Sequence, residues 1–345
     1  MTVPIVAAAA LAAGWLGTGL VRRYALEKLM DVPNERSSHD VPTPRGGGMA
    51  IVLTALAAVA ALAWLHVLPV RAAAALGGGG LIVAAIGWKD DHGGVGAPAR
   101  ALVHFAAAAW AAGWLGGLPS VSLGREALYL GPFGAVLAVV GIVWMTNLYN
   151  FMDGIDGIAG GEAVTAGTIG GALLLAAGEP GLAAAAFALA GASAGFLIWN
   201  WAPARIFMGD VGSGFLGFAF ATLAVASERA GAVPLLAWVL LLGVFVFDAT
   251  ATLLRRARAG ERWHQAHRSH AYQRAVQAGL PHARVSGAVI AINLVLGALA
   301  AAAWRRPEWL APAFAAGVVL LAALYLRVER LNPMRRAAVP AGKQG

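Results

Sequence analysis

Long apolar segments alternate with short polar ones along the whole chain. A membrane-spanning helix needs roughly 20 predominantly apolar residues, and eleven segments approach or reach that length. They lie at about 3–21, 49–68, 71–88, 101–118, 133–149, 161–178, 182–199, 212–227, 233–253, 285–303 and 310–326. The pattern predicts an all-α, polytopic integral membrane protein with about 11 transmembrane helices, folded as one domain over residues 1–345.

The first apolar segment resembles the core of a signal peptide. No basic residue precedes it, and Arg22 and Arg23 follow it directly. Because a cleaved signal peptide usually begins with a basic region, we expect this segment to be retained as the first helix.

The basic residues divide unequally between the two sets of loops. Placing loop 22–48 in the cytoplasm assigns 20 of the 25 lysines and arginines to that side. Cytoplasmic loops are enriched in basic residues, so this distribution supports both the segmentation and the orientation.

Composition narrows the function classes. Hydrophobic residues make up 59% and charged residues 12% of the chain, and the mean hydropathy is +0.71; soluble domains carry about 25% charged residues. The absence of cysteine excludes disulfides, thiolate metal sites and thiol nucleophiles. The net charge of +8 follows from the cytoplasmic loops, so we expect a lipid bilayer and no nucleic acid as partner.

Five polar loops, all predicted to be cytoplasmic, contain the candidate chemistry. The first runs from Asp31 to Pro42-Thr-Pro-Arg-Gly-Gly-Gly48. Prolines restrict its backbone, glycines allow close approach of a ligand, and the guanidinium of Arg45 matches a phosphate. A flexible turn before the next helix is the alternative.

The second loop begins with adjacent acids, Asp90 and Asp91. Two neighbouring carboxylates repel each other and are costly near a bilayer unless a cation or proton relieves them. The pair indicates a divalent metal or phosphate site, whereas a solvated helix end is the plainer explanation.

The third loop spaces Asn150, Asp153 and Asp156 three residues apart. Its two Asp-Gly steps predict that the helix breaks here and leaves both acids on a turn. Amide and carboxylate groups suit a nucleotide or Mg²⁺. A side-chain cap would explain one aspartate but not the series.

The fourth loop carries Asn200, Phe207 and Asp210, and Asp210 stands at the start of the next span. An anionic ligand is expected at the backbone N–H groups of that helix, with Asp210 holding a bridging Mg²⁺. Simple N-capping by Asp210 is the alternative.

The fifth loop is basic and contains His264, His267 and His270. The spacing does not match a zinc motif, so we interpret the histidines, with Arg268, as phosphate donors. A basic helix lying on lipid is compatible with the same pattern. Asp248, within the ninth apolar segment, is interpreted as a structural partner.

Taken in order, these motifs resemble a known family. They are Pro-Asn-Glu-Arg-Ser-Ser-His (33–39) with Pro-Thr-Pro-Arg-Gly-Gly-Gly (42–48), Asp90-Asp91, Asn150-x-x-Asp153-Gly-Ile-Asp156-Gly, Asn200 with Phe-Met-Gly-Asp210-Val-Gly-Ser, and His267-Arg-Ser-His270. The chain resembles the polyprenyl-phosphate N-acetylhexosamine-1-phosphate transferases, glycosyltransferase family 4, over about residues 31–274. Residues 285–345 add the last spans and a basic tail.

The resemblance implies a reaction and its location. A UDP-N-acetylhexosamine and undecaprenyl phosphate would give the undecaprenyl-pyrophosphate-linked sugar and UMP, with Mg²⁺ or Mn²⁺, at the cytoplasmic face of a bacterial inner membrane. A homodimer is compatible with the sequence. By resemblance the catalytic residues are Asp90, Asp91, Asp153, Asp156, His267 and His270, the substrate-binding residues Arg45, Asn150, Asn200, Phe207 and Arg268, and the metal ligands Asp210 and Asp91.

Two alternatives stay open. The phospho-muramoyl-pentapeptide branch of the family has three consecutive histidines in its fifth loop, whereas Arg268 and Ser269 separate His267 from His270 here. This departure favours enzymes that initiate O-antigen, capsule or teichoic-acid synthesis, and leaves the identity of the sugar open. A transporter of an anionic substrate is the second alternative, although transporters usually place ionisable groups near the bilayer midplane.

Overall fold

A computed structural model describes residues 2–33, 41–261 and 267–334. Most of the Pro-Asn-Glu-Arg-Ser-Ser-His motif, together with His264 and the end of the basic tail, lies outside these ranges. The helices are α1 (Thr2–Lys28), α2 (Gly48–Trp64), α3 (Val70–Gly93), α4 (Ala97–Leu115), α5 (Phe133–Met152), α6 (Ile158–Ala176), α7 (Pro180–Asn200), α8 (Asp210–Arg229), α9 (Leu235–Leu241), α10 (Gly243–Arg258), α11 (Ala271–Gln277), α12 (His282–Arg305) and α13 (Leu310–Leu331).

The predicted all-α polytopic architecture is confirmed, and a helix or helix pair lies at each of the eleven apolar segments. By length and composition, eight helices of the described chain can cross a membrane, or nine if α9 and α10 form one span bent by 83°. The helix α2 has only 17 residues, and α4 also falls outside this set.

Short strands occur in two loops and were not predicted. Strands β1 (Met30–Asp31) and β2 (Thr43–Pro44) pair antiparallel, as do β3 (Ser120–Leu123) and β4 (Glu126–Tyr129). The first pair joins the two ends of the loop between α1 and α2, directly before Arg45.

Helix α8 lies at the centre of the bundle. In its most apolar stretch 94% of the residues are buried, whereas the corresponding share in α1 is 17%. Small residues allow this close packing: a Cβ atom at Gly48 would lie 2.3 Å from the Cα of Gly212, so α2 meets α8 backbone to backbone. The start of α8, which carries Asp210, is therefore held by its neighbours.

Candidate active site

A polar cavity of 340 Å³, called the acid cavity below, opens where the loops between helices meet at one end of the bundle. All five predicted loops contribute to its wall, although more than two hundred residues separate the first from the last. Its lining includes Asp31, Arg45, Asp91, Asn150, Asp153, Asp156, Asn200, Phe207, Asp210, Ser213, Gln273 and His282. Packing thus gathers Arg45, Asn150, Asn200 and Phe207, with four of the five predicted acids, around one space.

Asp91 caps the N-terminus of α8. One carboxylate oxygen accepts the backbone N–H of Asp210 at 3.0 Å and the other accepts that of Val211 at 3.1 Å. The next two N–H groups, of Gly212 and Ser213, bond to the carbonyl oxygen of Gly209. The prediction that an anionic ligand uses these N–H groups was therefore wrong, because protein acceptors already occupy them.

The same contacts show that the alternative prediction, N-capping of α8 by Asp210, was wrong. The residue before α8 is Gly209, with a φ of +77°, and no side chain at that position caps the helix. A Cβ at Gly209 would lie 2.7 Å from the Asp91 carboxylate, so glycine is required for this close approach. Asp210 does not cap its own helix, and its carboxylate remains available to the cavity.

Arg100, at the start of α4, bridges two acids. Its guanidinium lies 2.6 Å from the carboxylate of Asp90 and 3.3 Å from that of Asp210. Asp90 also accepts the backbone N–H of Val95. Asp90 thus lies behind the cavity wall and holds Arg100 in place.

Arg45, in the first loop, contacts Asp91. Its guanidinium donates to the backbone carbonyl of Asp91 at 2.6 Å, and its Nε lies 4.0 Å from that residue's carboxylate. Backbone bonds from Gly47 to Phe207 and from Gly48 to Met208 join the first loop to the fourth. The close packing of the glycines therefore places a guanidinium at the cavity.

The third and fourth loops are bonded to each other. Asp156 accepts the backbone N–H of Ala204 at 3.0 Å and lies 3.4 Å from the ring of His282. The amide of Asn200 accepts from Gly157 and donates to Ile206. Asn150 donates to the hydroxyl of Ser213 at 3.1 Å. Asp153 follows the last residue of α5, as the Asp-Gly steps predicted.

Negative charge accumulates around Asp153. Burial, together with the charges of Asp210, Asp91 and Asp156, raises the pKa of Asp153 to about 8. The cavity therefore holds more carboxylate charge than its arginines neutralise, and a bound cation would relieve the repulsion.

We expect the metal-free protein to lose thermal stability as the pH rises from about 4 to 8. The folded state binds a proton at Asp153 that the unfolded chain has released, so folding is favoured at low pH and weakened as pH passes the raised pKa. Asp153→Asn should flatten this dependence and raise the melting temperature at pH 8.5 by about 3 °C or more. Thermal unfolding in EDTA across pH checks this, and an unchanged slope in the variant would contradict it.

The fifth loop is placed differently from the prediction. The side chain of His270 is buried 3.6 Å from the carboxylate of Asp248, and His267 lies against it with ring centroids 4.8 Å apart. Burial and the neighbouring charges of His270 and Arg256 lower the pKa of His267 to about 3. Neither histidine lines the acid cavity, so their predicted catalytic contact is not present in this structure.

Asp248 organises this loop. Its carboxylate accepts the backbone N–H groups of Ala271 and Tyr272 at 2.8 and 3.1 Å and the hydroxyl of Thr252 at 3.0 Å. The structure agrees with the structural role predicted for Asp248. Arg268 lies in a separate polar cavity with Arg274 and Asn332, whereas Gln273 lines the acid cavity.

The residues present suit Mg²⁺. In the described part of the chain, no three acidic or histidine side chains are arranged to hold a metal by themselves. Mg²⁺ keeps several waters and usually takes one or two protein carboxylates plus substrate phosphates, so such a group is not required. The side chain of Asp210 is 34% exposed and that of Asp91 only 2%. The carboxylate of Asp210 is thus the more accessible of the two, and metal binding by either residue stays a prediction.

Sequence reasoning missed Arg100, Gln273 and His282. Gln273 and His282 lie in or beside the fifth loop, in which only an arginine and other histidines were predicted to bind phosphate. The positions of all three residues depend on helix packing, which cannot be predicted from the spacing of residues along the chain.

Comparisons with known proteins show which family and which relatives this chain is similar to. Residues 73–228 match the model of Glycosyl transferase family 4. A probable undecaprenyl-phosphate N-acetylglucosaminyl 1-phosphate transferase of Bacillus subtilis is 28% identical over 79% of this chain and 76% of its own.

Two further relatives are informative. A decaprenyl-phosphate N-acetylglucosaminephosphotransferase of Mycobacterium tuberculosis is 29% identical over 93% of this chain and 86% of its own. A phospho-N-acetylmuramoyl-pentapeptide-transferase of Moorella thermoacetica is 34% identical but covers only 36% of this chain and 38% of its own. The family match over residues 73–228 and these relatives support the polyprenyl-phosphate N-acetylhexosamine-1-phosphate transferase superfamily, glycosyltransferase family 4, as the group that this chain resembles.

Proposed function

We propose that the protein transfers N-acetylhexosamine-1-phosphate from a UDP-sugar to undecaprenyl phosphate and releases UMP. The observation that carries this proposal is the convergence of all five loops on the 340 Å³ acid cavity. The relatives that align over most of this chain carry names describing transfer of N-acetylglucosamine phosphate to a polyprenyl phosphate.

The proposed reaction demands positioning more than covalent catalysis. An oxygen of the acceptor phosphate attacks the phosphorus next to the sugar, and the bond to the UMP oxygen breaks. The second pKa of a phosphate monoester is about 6, so the attacking oxygen needs no general base. Asp90 is accordingly proposed to orient Arg100, from which it lies 2.6 Å, rather than to remove a proton.

Basic and acidic groups have complementary proposed roles. Arg45 and Arg100 are proposed to stabilise negative charge on the transferred phosphoryl group. Asn150, Asn200 and Phe207 line the cavity and are proposed to contact the nucleotide. Mg²⁺, with Mn²⁺ as a substitute, would be held by Asp210 and would supply charge neutralisation between phosphates.

The proposed setting is the bacterial inner membrane with the cavity on the cytoplasmic side, where 20 of 25 basic residues are predicted to lie. UDP-sugars are the proposed donors there. The product would initiate a cell-envelope glycan such as O-antigen, capsule or teichoic acid.

Release of UMP tests the proposal. Purified protein in detergent, given undecaprenyl phosphate, Mg²⁺ and a panel of UDP-N-acetylhexosamines, is expected to release UMP with at least one donor. The signal should disappear without lipid or with EDTA. UDP-muramoyl-pentapeptide, included in the panel, is expected to be inert. Movement of a sugar across vesicles without UMP release would instead establish a transporter.

A further inference from the structure

An apolar cavity of 570 Å³ lies between α10, α11, α12 and α13, apart from the acid cavity. Its interior is formed by aliphatic side chains such as Val289, Ile292, Leu321 and Leu324. Arg284 and Arg327 also line it, on the first turn of α12 and near the end of α13. The cavity therefore combines an apolar interior with two guanidinium groups at one end.

The two arginines are not neutralised by protein carboxylates. Both are exposed, and within the described ranges neither takes part in a side-chain ion pair or hydrogen bond. Glu329, on the same helix as Arg327, is engaged by Arg255 and Arg274. Asp248 contributes to the wall, but its oxygens accept backbone and hydroxyl donors. The mouth is thus positively charged.

The depth of the cavity matches one membrane leaflet. From Arg284 to Ile292 the helix rises by about 12 Å, and from Leu331 back to Leu321 by about 15 Å. Half of the hydrocarbon core of a bilayer is also about 15 Å. An acyl chain that enters between the arginines would remain within the cytoplasmic leaflet.

We propose that this cavity binds an anionic phospholipid of the cytoplasmic leaflet. Its phosphodiester would pair with Arg284 and Arg327, and one acyl chain would fill the apolar interior. By contrast, the apolar cavity between α5, α8 and α9 has no charged side chain among its described lining residues, so it offers nothing to hold a headgroup.

The bound lipid is not the reacting one. His282 lines the acid cavity whereas Arg284, two residues further along α12, lines the apolar one. Residues two apart on a helix do not share a face. On α11, Gln273 faces the acid cavity and Tyr272 the apolar one. Helices α11 and α12 therefore separate the proposed headgroup site from the acid cavity.

Native mass spectrometry of the full chain tests the proposal. Protein is reconstituted in vesicles of phosphatidylcholine, phosphatidylglycerol and undecaprenyl phosphate, and released lipids are identified by mass. One retained phosphatidylglycerol per chain is expected. Arg284→Gln with Arg327→Gln should weaken retention by about 25-fold, since each arginine near an anionic lipid contributes roughly fivefold. Arg23→Gln with Arg258→Gln removes two other exposed charges and should leave retention unchanged.

A second variant tests the binding of the acyl chain. Ala288 is exposed and lines the cavity, so Ala288→Trp should displace the acyl chain while both arginines remain. Loss of phosphatidylglycerol in this variant supports the site. Equal retention of phosphatidylcholine, retention of undecaprenyl phosphate in its place, or wild-type retention by the double arginine variant would overturn it.

Discussion

Asp210→Asn is expected to lower UMP release by about 10³-fold while the protein stays folded. Loss of one preorganised electrostatic group at a reacting phosphate or oxyanion typically costs about 10²–10³ in rate, and the proposed metal would lose its charged ligand as well. The substitution preserves shape, and Arg100 keeps its contact with Asp90 at 2.6 Å.

The measurement pairs initial rates of UMP release with thermal unfolding in EDTA. We expect the melting temperature to stay level or rise, because one of several neighbouring carboxylates becomes neutral. Glu179→Gln, which removes a charge before α7 on the opposite side of the bundle, serves as the control and should retain activity. Near-normal turnover by Asp210→Asn would contradict the proposal that Asp210 is the metal ligand.

Asp91→Asn is expected to lower turnover by about 10²-fold and to destabilise the protein. An amide has one acceptor oxygen, whereas the carboxylate of Asp91 accepts from both Asp210 and Val211. One buried N–H would then lack a partner, at a cost of about 1–3 kcal/mol. The negative charge opposite the helix dipole would also be lost. The resulting displacement of Asp210 by about 1 Å accounts for the loss of rate.

The same variant separates positioning from metal binding. If Asp91 only positions α8, Asp210 remains as the ligand, so the Mg²⁺ concentration for half-maximal rate rises at most slightly while the melting temperature falls by about 2–5 °C. A strong rise in that Mg²⁺ concentration would show instead that Asp91 is a direct ligand. Lys89→Gln, at an exposed position on the same helix end, is the matched control and should resemble wild type in both measurements.

Much of the fold could be predicted because a membrane span requires a long, continuous apolar segment. Every predicted segment contains a helix, and the Asp-Gly steps after Met152 mark the end of α5. The bend between α9 and α10 was not predicted, since no proline or polar residue marks the break at Leu242.

The sequence alone determined the membrane class, the loop set and the residue types of the site. These follow from local properties: hydropathy, basic charge, and the oxygen donors of Asp and Asn.

Tertiary structure decided what each side chain contacts. Helix α3 packs on α8 and makes Asp91 the cap of a helix that begins 119 residues later, and α4 brings Arg100 to Asp210. His270 turns to Asp248 rather than to the acids. Such contacts depend on which helices meet and at what register, and side-chain packing across the whole bundle sets both.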